Sequence, residues 1–291
     1  MKFRNVSAFL LLSVLCPGAS HVILIGVDGL APAGIRRAET PNFKQLMKRG
    51  SWTFHARAVI PTVSSPNWAS MVNGAGPAQH GITSNEWKPE KHEIEPVCHG
   101  STAIFPTIFD ALRQQKATSR IGIFHHWEDF ARLVERGAPN RIEHVKTADE
   151  TMATAISWWK TQKPDLLFVH LDHVDDAGHN HGWSTPEYKA AVEKADALVG
   201  QMLSAVDASP ERAETTLIVS SDHGGTGKKH GGLTMDEIEI PWFVVGPGVR
   251  AGFELKNPVN TYDTAATIAR VLKVKTPPCW IGRPVAEAWT R

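Results

Sequence analysis

The sequence lacks an apolar run long enough to cross a bilayer; the stretch from Ala8 to Cys16 falls well short of one. It also lacks blocks of charge. Its 31 basic and 30 acidic residues give a net charge of +1 with no long single-sign run, so neither nucleic acid nor an anionic membrane is an expected partner. A small anionic substrate needs only local positive charge and stays open. There is no internal repeat, no Pro/Gly/Ser-rich linker and no break in composition, which makes one domain the economical reading. No oligomeric state can be read from these features. What is present is globular: 42% hydrophobic and 21% charged residues exclude disorder and low complexity, and 291 residues can bury one large core or at most two ordinary ones.

The N-terminus, MKFRNVSAFLLLSVLCPGAS, sets two basic residues before the apolar run and small residues at Gly18, Ala19 and Ser20 after it. This is the layout of a secretory signal peptide. Residues 1–20 are expected to be removed, leaving 21–291 as the folded domain of a periplasmic or released protein. Cysteine is scarce, at three residues, and that cleavage leaves Cys98 and Cys279, which could form one disulfide in an oxidising compartment. Their spacing does not show that they meet.

From His21 onwards, apolar β-rich runs alternate with helical stretches, the pattern of a mostly parallel sheet with helices on both faces. HVILIGVD, RIGIF, PDLLFVHLD, TTLIVSSD and IPWFVVG are the expected strands, continuously apolar as strands buried on both faces should be. TPNFKQLMKRG is an expected helix, with Thr40 capping, Pro41 opening, Phe43, Leu46 and Met47 on one face and Gly50 closing. PTIFDALRQQ, ADETMATAISWWK, TPEYKAAVEKADALVGQMLSAV and TYDTAATIARVL are further helices. The polar, irregular stretches 87–101 and 125–148 are expected to lie over the active face. In IPTVSSPNWASMVNG, Ser65 directly before Pro66 reads as the helix cap, which leaves Ser64 as the spare hydroxyl beside the free amides of a helix start.

Acidic residues end three of the strands. Asp28 closes the first, Asp172 and Asp175 follow PDLLFVHLD, and Asp222 with His223 follows TTLIVSSD. In a parallel open sheet these C-terminal edges share one crevice, where like charges cannot all stay ionised without cations. Histidines complete the pattern: His179 and His181 follow Asp175, and His230 lies beyond a glycine-rich loop after His223. Mixed carboxylate and imidazole sets of this kind suit zinc-like divalent ions. A metal beside Ser64 would turn its hydroxyl into a nucleophile.

These residues resemble the alkaline phosphatase superfamily, and within it the type I phosphodiesterase/nucleotide pyrophosphatase family. VDGL at Asp28, PTVSSPN, HGITSN, DDAGH and SDHGGTGKKHGG occur in the family's order, and CWIGRPV is similar to its closing segment. The resemblance implies an alkaline-phosphatase-like three-layer α/β/α sandwich around a mostly parallel sheet, with 21–291 as its catalytic domain. It implies two divalent ions of zinc type, one held by Asp175, His179 and His230, the other by Asp28, Asp222, His223 and the oxygen of Ser64. Ser64 would be the nucleophile, passing through a phospho-serine, and Asn85 would bind a phosphate oxygen. Asn67 and His80 are expected to be structural. Trp87, just past Asn85, reads more simply as a packed aromatic, with stacking on a nucleobase or other flat substrate group as the alternative. The family implies a small phosphate-ester substrate. Members that cleave diesters commonly carry threonine where Ser64 stands, so a phosphomonoesterase with the same metals stays open, as does a non-catalytic metal-stabilised binding protein. SSPNW lacks the arginine of the sulfatase motif, which sets that branch aside.

Overall fold

In the computed structural model, which describes residues 19–91 and 93–290, successive residues of the first strand enter opposite hydrophobic clusters. Val22 and Leu24 join one, Ile23, Ile25 and Val27 the other. A central strand covered on both sides has no solvent face, and its unbroken apolar sequence follows from that. Residues 1–18, which carry most of the expected signal peptide, lie outside the described residues. No described helix is long and apolar enough to cross a membrane.

The strands are β1 (His21–Val27), β2 (Ser51–Arg57), β3 (Ile121–His125), β4 (Arg141–His144), β5 (Leu166–Leu171), β6 (Thr215–Ser220), β7 (Glu239–Val245) and β8 (Phe253–Glu254). They form one eight-stranded sheet in the order β4-β3-β5-β1-β6-β7-β2-β8. The run from β4 to β6 is parallel, β7 is antiparallel to both β6 and β2, and β8 is parallel to β2. All five expected strands are present. β2 and β4 were not legible: a register irregularity between Thr53 and Ala56 breaks the alternation of β2, and β4 is a four-residue strand with no fully buried position.

The helices are α1 (Pro32–Arg37), α2 (Pro41–Arg49), α3 (Ser64–Asn73), α4 (Pro77–His80), α5 (Ile108–Gln115), α6 (Ala148–Gln162), α7 (His173–His181), α8 (Pro186–Asp207), α9 (Met235–Ile238) and α10 (Asp263–Val271). Trp68 and Met71 of α3, Leu112 of α5 and Ile268 of α10 fill the cluster on one face of the sheet. Ile35 of α1, Phe43 of α2, Trp159 of α6 and Val199 of α8 fill the other. The result is the three-layer α/β/α sandwich.

Two helix starts depart from expectation in the same way. Thr40 occupies the cap position of α2, but its hydroxyl donates to the Ile35 carbonyl; the amides of Asn42 and Phe43 go instead to the carboxylate of Asp196, at 3.1 and 2.7 Å. Ser65 does not cap α3. The helix begins at Ser64 with Val63 in the cap position, and the Ser65 amide donates to Asn85 Oδ1 at 2.8 Å. In both cases an oxygen from a distant segment satisfies the free amides, so the local sequence marks the helix start but not its cap.

Asn67 and His80 are structural, as expected. Asn67 is fully buried, accepts from the Val59 amide at 2.7 Å and donates to the Pro61 and Val63 carbonyls, tying α3 to the segment between β2 and the helix. His80 is buried against Ser70 at 3.0 Å and accepts from the Ile82 amide. Cys98 and Cys279 form a disulfide that joins segments 181 residues apart.

Candidate active site and metal centre

Four adjacent strands deliver their C-terminal ends to one crevice. Asp28 follows β1, Asp172 follows β5, Asp222 lies just past β6, and His125 ends β3. Gly29 takes φ +66°, and a Cβ there would lie 2.9 Å from Asp175 Cα, so the turn after Asp28 admits only glycine beside α7. DDAGH is helical: Asp175 and His179 are one turn apart on α7 with 3.2 Å between Oδ2 and Nε2. Gly178 makes room for the ring of Trp183, which a Cβ would meet at 2.6 Å.

Each of the two buried carboxylates has one oxygen held and one left over. Asp28, 1% exposed, accepts from Trp68 Nε1 at 2.9 Å through Oδ2, which also faces His170 Nε2 at 3.3 Å. Because His170 Nδ1 accepts from the Trp127 amide, its Nε2 carries the proton and donates to Asp28. Asp222 accepts from the Gly29 amide at 3.2 Å through Oδ1. Asp28 Oδ1, Asp222 Oδ2 and Asp175 Oδ1 are buried and have no hydrogen-bond partner among the described residues.

The histidines face these oxygens through Nε2. His223 donates from Nδ1 to the Gly224 carbonyl at 2.9 Å, His230 to Thr62 at 2.9 Å and His179 to Lys228 at 3.1 Å. A backbone carbonyl thereby holds Nδ1 of each ring and turns Nε2 towards the carboxylates, the arrangement that orients imidazole ligands in metal sites; Nε2 is bare in His223, whereas in His179 it carries a proton donated to Asp175. His223 Nε2 lies 3.4 Å from Asp28 Oδ1, 3.1 Å from Asp222 Oδ2 and 3.3 Å from Ser64 Oγ. His230 Nε2 lies 3.8 Å from Asp175 Oδ1. Ligand atoms of Asp175, His179 and His230 fall within 4.8 Å of one another, as do those of Asp28, Asp175 and His223.

Without a cation this assembly is costly. Burial, and then the neighbouring Asp175, push Asp28 well above the usual carboxylate range, and burial followed by Asp28 and Asp175 does the same to Asp222. Burial and Asp28 raise Asp172 to about 9. Burial lowers His223 to about 3 and His170 to about 3, whereas the hydrogen bond to Asp175 raises His179 to about 9. Unpaired buried carboxylate oxygens opposite imidazole lone pairs fit a divalent ion, which would replace the protons the cluster must otherwise hold.

Ser64 sits at the first position of α3, 6% exposed, with its hydroxyl donating towards His223 Nε2. Asn85 adjoins it by capping the same helix, and with Oδ1 on the Ser65 amide the planar carboxamide has Nδ2 as its other arm. Trp87 is only 6% exposed and packs in the hydrophobic core. This is the packed-aromatic position that the sequence also allowed. His181, an exposed residue, falls in none of the ligand groups found among the described residues. His170, Trp68 and Arg132 were missed; of these only His170 had a signal, a polar side chain inside the continuous apolar run LLFVHL.

An alkaline-phosphatase-like α/β fold with an acid-histidine crevice at the sheet's C-terminal edge defines the class. The type I phosphodiesterase/nucleotide pyrophosphatase model matches residues 22–239, and the chain belongs to that family. Human ectonucleotide pyrophosphatase/phosphodiesterase family member 1 is 24% identical over an alignment of 232 positions that covers 72% of this chain. The alignment covers 24% of that relative, so this chain corresponds to about a quarter of its length. Murine ectonucleotide pyrophosphatase/phosphodiesterase 5, solved as an inactive variant in complex with AMP, superposes with a TM-score of 0.77 at 17% identity, covering 93% of this chain and all of that one. The alkaline phosphatase PafA gives a TM-score of 0.76 at 12% identity over 94% of this chain and 99% of its own. These superpositions establish the shared fold.

Proposed function

We propose that this chain is an exported phosphoric ester hydrolase, a two-metal phosphodiesterase or nucleotide pyrophosphatase, in which Ser64 attacks phosphorus. The observation that carries the proposal is the position of Ser64 Oγ, 3.3 Å from His223 Nε2 at the edge of three unpartnered carboxylate oxygens. Asp175, His179 and His230 would hold one ion. Asp28, Asp222, His223 and Ser64 would hold the other, with Asp175 near enough to serve both. Bound divalent ions would supply charge neutralisation for the attacking and leaving oxygens and a water of lowered pKa.

The chain's own residues do the rest. Ser64 gives up its proton to solvent in the field of the α3 N-terminus, and its oxygen forms the new P–O bond as the bond from phosphorus to the alcohol or phosphate leaving group breaks and the departing oxygen takes a proton from solvent. Asn85 Nδ2 donates to a non-bridging oxygen of the phosphoryl group, a contact that strengthens as charge grows there. Trp68 and His170 keep Asp28 Oδ2 occupied so that Oδ1 faces the metal. Water then hydrolyses the phospho-serine and restores the hydroxyl. The Cys98–Cys279 bond supports export, because such bonds persist in oxidising compartments.

A side-by-side panel of nitrophenyl phosphate monoester and the nitrophenyl ester of a nucleoside monophosphate, on metal-reconstituted protein, tests this reading. Diester cleavage is expected to be faster by kcat/KM. Faster monoester cleavage would make the chain a phosphomonoesterase. Two bound ions with no turnover of any ester would make it a metal-stabilised binding protein.

A further inference from the structure

Arg132 arrives at the head of α3 on a short 3-10 helix, Glu128–Leu133, from the segment between β3 and β4. Its side chain is 14% exposed. One guanidinium nitrogen, Nη2, donates both to Ser65 Oγ at 3.1 Å and to the backbone carbonyl of Asn85. Nη1 pairs with Asp129 at 2.9 Å, and the plane lies 5.5 Å from the ring centroid of Trp127. This is a poor way to stabilise a fold. A cation at a helix N-terminus opposes the helix dipole, and Arg132 Nε is buried with no partner among the described residues, which adds a desolvation cost. Residues that break local rules without a stability gain are expected at functional positions.

We infer that Arg132 is a positioning residue for Asn85. The inference rests on the reading above that Asn85 binds phosphate. The Asn85 side chain is anchored at one end, where Oδ1 accepts from the Ser65 amide. A planar amide held at its oxygen can still swing if the backbone behind it moves. Arg132 closes that freedom by gripping the Asn85 carbonyl and the Ser65 hydroxyl with one nitrogen, so the loop carrying Asn85 and the helix carrying Ser64 move as one body. Nδ2 then stays directed at the phosphoryl oxygen beside Ser64, and its alignment is paid before substrate arrives. With its terminal nitrogens engaged by Ser65, Asn85 and Asp129, the guanidinium acts through Asn85 rather than by contact with substrate.

The test is a double-mutant cycle on metal-loaded full protein, read by calorimetric binding of inorganic phosphate and by kcat and KM on the nitrophenyl diester. Arg132→Met is expected to weaken phosphate binding and lower kcat by about tenfold, with little change in KM or melting temperature. In an Asn85→Ala background the same substitution is expected to cost no more than about twofold, because the group it positions is gone. Arg132→Lys keeps the charge but not the forked geometry and is expected to fall between wild type and Arg132→Met. Equal losses from Arg132→Met with and without Asn85, or wild-type phosphate binding in both Arg132 variants, would overturn the inference. Should Arg132→Met fail to fold, Arg132→Lys with and without Asn85→Ala completes the same cycle. Coupling in phosphate binding without ester turnover would refute the hydrolase reading alone, while turnover with additive losses would refute only the role of Arg132.

Discussion

Ser64→Ala is expected to lower kcat on the nitrophenyl diester by at least about a thousandfold while metal content and melting temperature stay near wild type. The side chain lost is one hydroxyl, 6% exposed, whose recorded partner is His223 Nε2, so its removal deletes the attacking atom and little packing. Ser64→Thr keeps a hydroxyl on the same carbon and should retain turnover within about tenfold of wild type. Ser65→Ala provides the contrast. Ser65 contributes its backbone amide to Asn85, which alanine preserves, and its hydroxyl accepts only from Arg132, so a loss of no more than about tenfold is expected. Parallel steady-state kinetics on the three variants check the assignment; a larger loss at Ser65 than at Ser64 would reverse it.

Removal of metal by a chelator is expected to abolish turnover and to make folding stability fall steeply with rising pH between about 6.5 and 9. Asp28 and Asp222 are raised far above the carboxylate range by burial, and Asp172 is raised to about 9. In that window the folded metal-free chain binds protons on these groups that the unfolded chain has released, so stability declines as pH rises. His179, raised to about 9 by Asp175, acts in the same direction. His223 and His170, lowered to about 3, favour folding as pH rises only up to the unfolded histidine value near 6.5 and add nothing above it. Bound metal substitutes for the protons and should flatten the profile. Thermal unfolding of chelated and metal-loaded protein across this range measures the difference; parallel curves would contradict a buried cation site.

The fold and the gathering of Asp and His side chains at one sheet edge were readable because the residues that define them obey short-range rules. Unbroken apolar runs such as VILIGV and LLFVHL can only be central strands, and topology then dictates that Asp28 and Asp222 meet. What escaped was set by contacts remote in sequence. Ser65 has the composition of a cap, yet Asn85 does the capping from twenty residues away, and Asp196 replaces Thr40 in the same manner across more than a hundred. Trp87 follows its simpler reading: it stands beside Asn85 in sequence but turns into the core, since its large apolar ring gains more from burial than from an open cleft. Arg132 carries no local pattern at all. Only the 3-10 turn after β3 delivers it to Asn85, so this support was less legible than the Asp and His residues of the crevice. The anticipated placement of 125–148 over the active face was nonetheless sound for His126, Trp127 and Arg132, which line up against Asp172, His170 and Ser65.

Two ions and Ser64 are proposed to act together on a phosphodiester. The most direct measurement is titration of metal-free protein with Zn²⁺ while following both bound metal and cleavage of a nitrophenyl nucleoside diester. Turnover that rises to a plateau at two equivalents, and is lost in Ser64→Ala without loss of either ion, is the result predicted. Full turnover at one equivalent, turnover that persists under chelator, or undiminished turnover in Ser64→Ala would contradict it.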